Sequence, residues 1–264
     1  MTRRRRPAFT LVEILVAFFV LVLFTVGVFT ILRNFSRAGS IGQWRSFTNG
    51  QIRKAQERLR QHIEGASYPM KITPQANQIS DIPAHYVIVN PEGSGAADDN
   101  TTEVVRVFGP GDDAAEPSGE EVVLQLVKSK PGREGLGSSG SLADKPVEAT
   151  MVKFLLKGKN KVFGPKGKWN RTLYIVEETA SAATTGFTSG VPFNFAGGTR
   201  SETLILSDVN RVRVSTPKDS FPSGTVSINP VPIEVQLFCV EPGAGQAELI
   251  STVQAHPNSG VEVK

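Results

Sequence analysis

A single cysteine, Cys239, leaves no partner for an intrachain disulfide. It falls inside an apolar alternation, where a small buried hydrophobe is the natural role and a reactive thiol is not. The three histidines, His62, His85 and His256, stand far apart, which argues against a histidine-rich metal centre. The chain has no G-x-S-x-G, H-E-x-x-H or P-loop spacing. The usual signatures of hydrolases, metalloproteases and nucleotide-driven enzymes are therefore missing, and neither enzymatic activity nor a cofactor is expected. Asp98-Asp99-Asn100 and Asp112-Asp113 have oxygens to offer a cation but lack an EF-hand frame and a suitably placed later Glu, so they read as solvated loop acids.

What remains is an ordinary folding composition with an unusual N-terminus. Hydrophobic residues make up 39% of 264 and charged residues 20%, while 25 Gly and 17 Pro favour many turns. The formal net charge of +4 leans on Arg3, Arg4, Arg5 and Arg6. That cluster has a topological explanation, so the basic balance is not an argument for nucleic-acid binding. About 200 residues follow the helical N-terminus, enough for one well-buried core.

From Ile14 to Leu32 the chain reads ILVAFFVLVLFTVGVFTIL, 19 residues without a charge. As a helix this run measures ~28 Å, close to the bilayer core of about 30 Å. It is longer than the apolar core of a cleaved secretory signal, and RNFSRAGS beyond it offers no A-x-A-like site. Arg33 and Arg37 flank the far end, but the denser cluster is Arg3–Arg6. The positive-inside rule then leaves the N-terminus in the cytoplasm and exports the remainder. Glu13 is the residue that a plain signal anchor does not explain. An acid costs roughly 2.5–3.5 kcal/mol at the centre of a membrane helix, and less near an interface.

The stretch PAFTLVEILVA resembles the N-terminal signal of type IV prepilins and type II secretion pseudopilins, a small residue followed by F-T-L-x-E. The resemblance implies that a prepilin peptidase of the inner membrane cuts between Ala8 and Phe9 and methylates the new N-terminus at Phe9. Glu13 would then be the subunit-assembly residue, neutralising the α-amine of a neighbouring subunit. Such a pair acts mainly as a register device, because a slip leaves both charges unpaired among apolar helices. The family usually places Gly before the cut. Ala8 departs from that while remaining small, as an active site that demands a small side chain requires.

Beyond Leu32, Trp44, Thr48, Ile52, Ala55, Leu59 and Ile63 recur at helical spacing, with Arg45, Arg53, Lys54, Glu57, Arg58 and Arg60 between them. This predicts an amphipathic helix ended by Gly65 and Pro69. Gly39, Gly42 and Gly50 point to a bend or a melted turn near residues 36–43. After residue 70 the period shifts to two. Strands are expected at Tyr86–Val89, Glu103–Phe108, Val122–Val127, Met151–Leu156, Leu173–Glu177, Thr203–Leu206, Arg211–Val214 and Val231–Val240. In the last of these, Val231, Ile233, Val235, Leu237 and Cys239 share one face. Turn-rich stretches lie at Pro91–Asn100, Gly109–Gly119 and Lys130–Lys145, and GREGLGSSGSLADK within the third reads as a mobile surface loop.

Lys157, Lys159, Lys161, Lys166 and Lys168, interleaved with Phe163 and Trp169, read as a solvated hairpin turning at GPKG, and no nucleic-acid partner is expected. Asn170-Arg171-Thr172 matches the N-x-T glycosylation pattern and carries little weight in a bacterial chain. The tail LILSDVNRVRVSTPKD with PIEVQLFCVE is similar to the end of J-type minor pseudopilins and related minor pilins.

The expectation is an α+β, pilin-like chain whose long N-terminal helix packs its second half on an antiparallel sheet. Residues 1–8 are read as leader, 9–32 as membrane and assembly helix, 33–66 as amphipathic helix and 67–264 as an exported β-rich head. The implied partners are prepilin peptidase, other pilin or pseudopilin subunits and the inner membrane. The implied function is that of a minor pilin or pseudopilin in a type II secretion pseudopilus or type IV pilus-like filament. The alternative is a signal-anchored periplasmic or surface protein whose head binds a ligand.

Overall fold

The computed structural model describes residues 10–66, 85–109, 119–131, 146–161, 169–180, 198–221, 226–227, 230–243, 247–258 and 260–264. The loop GREGLGSSGSLADK, the GPKG turn, Asp112-Asp113 and Pro69 lie outside these residues. The chain divides into two compact units, Met1–Phe47 and Thr48–Lys264. One helix, α1, is assigned over Leu11–Glu64.

In the first unit α1 is apolar on all sides up to Leu32 and stays helical through residues 36–43. The expected bend or melted turn is therefore not found. Among the described residues no Cβ built at Gly27, Gly39 or Gly42 would meet another atom within 4 Å, so none of them makes room there for a close neighbour.

In the second unit α1 presents the predicted stripe. Thr48, Ile52, Ala55, Leu59 and Ile63 are buried, at spacings that keep one face inward, while Trp44, in the first unit, is half-buried. The helix stops at Glu64, where the Gly65 N–H still donates to the Gln61 carbonyl. The stripe packs on a sheet of eleven strands: β1 (His85–Val89), β2 (Ala96–Ala97), β3 (Glu103–Phe108), β4 (Glu120–Pro131), β5 (Pro146–Lys161), β6 (Trp169–Ala180), β7 (Thr199–Pro217), β8 (Val226–Ser227), β9 (Ile233–Val240), β10 (Glu248–Ala255) and β11 (Gly260–Val263). The hydrogen-bonded order is β10-β9-β7-β6-β5-β4-β1-β11-β8, with β2 on β3 and β3 on β7. The architecture is α+β, with one long N-terminal helix and a mixed sheet.

The expected sheet was purely antiparallel. The observed one contains a parallel pair, β1 with β11. Parallel partners need a long crossover. Here the crossover is the rest of the head, because β11 returns from the end of the chain to lie beside the first strand. All eight expected strands are present, but two of them, Thr203–Leu206 and Arg211–Val214, are parts of the single strand β7. Ser207-Asp208-Val209-Asn210 looks like a turn in sequence and is a bulge in space. Asp208 adopts φ 60 and the register slips between Val209 and Arg211. β7 is a corner strand: residues up to Val209 pair with β6, and Val212–Pro217 pair with β3. Gly109, at φ +107, is required at this corner, since a Cβ there would come within 2.7 Å of the Asn210 carbonyl oxygen.

The face read from β9 is correct. Val231, Ile233, Val235, Leu237 and Cys239 are each at most 2% exposed. Polar side chains of α1 lock the helix to the sheet. Gln56 donates to the Ser251 hydroxyl at 2.7 Å and the Thr252 carbonyl at 2.9 Å, and Ser207 donates to Gln51 Oε1 at 3.0 Å. β10 is an edge strand, and Gln56 satisfies a carbonyl that would otherwise invite another strand.

Candidate membrane and assembly segment

The helix begins at Leu11 because Thr10 caps it. The Glu13 N–H donates to Thr10 Oγ1 at 3.3 Å, while the Thr10 N–H and Oγ1 donate to Glu13 Oε2 at 2.9 and 3.0 Å. This is the reciprocal capping box T-x-x-E, which satisfies orphan donors of the first turn from both ends. This local role of Glu13 stands beside the assembly role that the family resemblance implies. The signal was available in Thr10-Leu11-Val12-Glu13 directly before an apolar run. A single carboxylate oxygen, Oε2, makes both Thr10 contacts. Ala8 and Phe9, the expected cleavage pair, lie outside the described residues.

Every large apolar side chain from Leu11 to Leu32 is exposed, from 37% at Val28 to 79% at Leu11. A core helix of a soluble domain would have buried this surface. The helix is long and apolar enough to cross a membrane, and among the described residues none of its apolar window is buried. Thr25 and Thr30 fit that setting, since their hydroxyls donate to the Leu21 and Val26 carbonyls at 2.7 and 2.8 Å. Glu13 is the one charged residue between Thr10 and Leu32.

The other residues singled out from sequence have structural roles. Cys239 is fully buried, and burial together with the nearby Asp208 charge pushes its thiol up to about 12. Asp99 Oδ1 accepts from Arg106 at 2.7 Å and from the Val105 N–H at 2.8 Å, and Asn100 Oδ1 accepts from the Thr102 and Glu103 N–H groups. These side chains hold the turn into β3. Among the described residues no group of three or more His, Cys, Asp or Glu could hold a metal ion. Asn170 is half-buried in β6 and donates to Asp208 at 2.8 Å, which removes it as a surface glycosylation acceptor.

Sequence reasoning missed the neighbouring residue, Arg171. Its side chain is 0% exposed and pairs with Glu121, at 8%. Its remaining donors reach the Leu156 carbonyl at 2.8 Å and the Gly158 carbonyl at 3.1 Å. The guanidinium thus ties β4, β5 and β6 together. Trp169, Arg171, Leu173 and Ile175 alternate along β6, and all are buried, so an arginine in the apolar phase of the strand was the visible sign.

His62, in the last turn of α1, packs edge-on against Phe154 with ring centroids 5.9 Å apart. Burial, aided by the nearby Lys128 and Arg58 cations, lowers its pKa to about 4. Glu177, 4.0 Å from Nδ1, favours the charged form, but at 41% exposure it is outweighed by burial. Burial also lowers the Lys128 pKa, against the opposing pull of the Glu177 carboxylate. The unfolded histidine binds its proton near pH 6.5 and the folded one only near 4. The folded state is therefore favoured above pH 6.5 and loses that advantage as the pH falls towards 4. Thermal melts of the full chain in detergent should weaken across that window by roughly 1–2 kcal/mol, after discounting for partial exposure. His62→Gln should flatten the dependence, and an equally steep profile in that variant would reject the assignment.

No protein-family model matches the chain, and neither a curated protein nor a solved structure does.

Proposed function

We propose that this chain is a prepilin-type structural subunit, a minor pilin or pseudopilin of a type II secretion pseudopilus or type IV pilus-like filament. One observation carries the reading: an apolar helix whose large side chains are all exposed among the described residues, and whose sole charge between Thr10 and Leu32 is Glu13 at the entry. A membrane anchor needs the apolar surface and uses the acid only to cap the helix start. A helix that leaves lipid to pack among identical helices uses both, the apolar surface for packing and the acid for register. The α+β layout, with the second half of α1 packed on a sheet, is compatible with a pilin-like head.

On this reading the precursor lies in the bacterial inner membrane with its N-terminus cytoplasmic and its head periplasmic. Prepilin peptidase removes residues 1–8 and methylates Phe9, and the mature subunit joins its neighbours through the N-terminal helix. No step of this function asks the head for catalysis.

N-terminal sequencing of the membrane-extracted chain, from cells with an active prepilin peptidase, is the direct test. The expected product starts at methylated Phe9, with some precursor remaining because Ala8 stands in place of the family's usual Gly. Recovery of Met1 through Arg6 on the whole population would reject the proposal.

A further inference from the structure

Between Ile14 and Gln56 the sequence holds no Asp or Glu and five basic residues, Arg33, Arg37, Arg45, Arg53 and Lys54. Arg33 and Arg37 are exposed, one turn apart on the helix, with Cβ atoms about 5–6 Å from each other. Neither guanidinium has a partner among the described residues. The one acid in the described part of the first unit, Glu13, precedes Arg33 by twenty residues, or about 30 Å of helix. The pair therefore lacks a counter-charge within its own unit.

Its depth is set by the apolar run. Leu32 ends the span, which places the Cα of Arg33 about 1.5 Å and that of Arg37 about 7.5 Å beyond it. The headgroup layer occupies roughly the first 5–7 Å outside the hydrocarbon, and an arginine stem can lean back into it. Arg45, about 20 Å beyond Leu32, lies outside that layer. Both cationic residues at headgroup depth are arginines, whose planar fork matches phosphate oxygens two at a time.

We infer that Arg33 and Arg37 form a binding site for the headgroups of anionic phospholipids in the leaflet facing the head. The inference rests on the membrane span of the proposed function and not on its filament. Lipid phosphate supplies the missing counter-charge where the helix leaves the bilayer. It also fixes the depth of the helix at that end, with Glu13 marking the other.

The experiment reconstitutes the full chain in phosphatidylcholine vesicles carrying trace spin-labelled phosphatidylglycerol or phosphatidylcholine. The fraction of motionally restricted label then gives the selectivity. The wild-type chain should prefer phosphatidylglycerol at low salt, with a ceiling of about five-fold per arginine. R33Q/R37Q should lose most of that preference, and R45Q should keep it. The leader arginines are common to all three chains, so the differences isolate the pair. Both sites are exposed, and unchanged helical circular dichroism would show that the fold is intact. Wild-type selectivity in R33Q/R37Q would overturn the site and leave an acidic protein surface as the partner of these residues. An equal loss in R45Q would overturn it too, since unlocalised charge would then suffice. A chain that fails to float with vesicles would remove the span on which both readings rest. A precursor never cut at Ala8 would overturn the filament reading alone.

Discussion

Arg171→Met should destabilise the head by about 3–5 kcal/mol, a large part of the 5–15 kcal/mol typical of a folded domain. The substitution keeps much of the side-chain volume, so the cost is electrostatic. Glu121, itself buried, would be left as an uncompensated carboxylate on β4. The Leu156 and Gly158 carbonyls would lose their charged donor at the same time. For a unit of this size the melting temperature should fall by roughly 6–20 °C. The same physics predicts a rescue. In Glu121→Leu/Arg171→Met no charge remains to be buried, and replacing a whole ion pair with apolar side chains is often close to neutral. Near-ultraviolet circular dichroism melts of the full chain in detergent read both effects. A single variant that melts within a degree or two of wild type would show that water or a rearrangement satisfies Glu121. A double variant as weak as the single would show that packing, and not charge, is what Arg171 supplies.

Glu13→Gln should leave the helix start and processing intact and cut filament incorporation at least roughly ten-fold, equivalent to about 1.4 kcal/mol per subunit. The choice of glutamine follows from the capping geometry. Gln at the third helical position can still accept from Thr10, so the capping box survives while the charge is removed. Glu13→Val removes the charge and the carboxylate half of the capping box together and should lose at least as much incorporation, again with processing retained. Thr10→Ala separates the two roles from the other side. It deletes the hydroxyl that contacts Glu13 and keeps the acid. If Thr10→Ala abolishes incorporation and Glu13→Gln does not, Glu13 acts through the cap and its pairing role is wrong. Sheared-filament fractions probed for the subunit, beside whole-cell levels, give the measurement.

The features legible in the sequence were those set by near neighbours. The stripe of Thr48, Ile52, Ala55, Leu59 and Ile63 follows from a period of 3.6, and the inward face of β9 from a period of two. The capping box of Thr10 and Glu13 is equally local, three residues apart at the start of the apolar run. β10 escaped notice because it is an edge strand with Ile250 exposed, so its pattern is weak. β7 was split in two because Asp208-Val209-Asn210 carries the chemistry of a turn. Pairing with β6 before the bulge, with β3 after it and with β9 across it keeps it a strand.

The sequence by itself determined the N-terminal segment: an uncharged run of bilayer length, a lone acid at its entry and arginines beyond its exit. Hydrophobic length and charge order act on a helix without help from distant residues. The tertiary structure decided the rest. It placed β11 parallel to β1, turned the corner at Asp208 and buried Arg171 against Glu121, fifty residues away. Each of these depends on which strands meet across long loops. That choice is made by summed burial and hydrogen bonding over the whole sheet, and no local pattern encodes it.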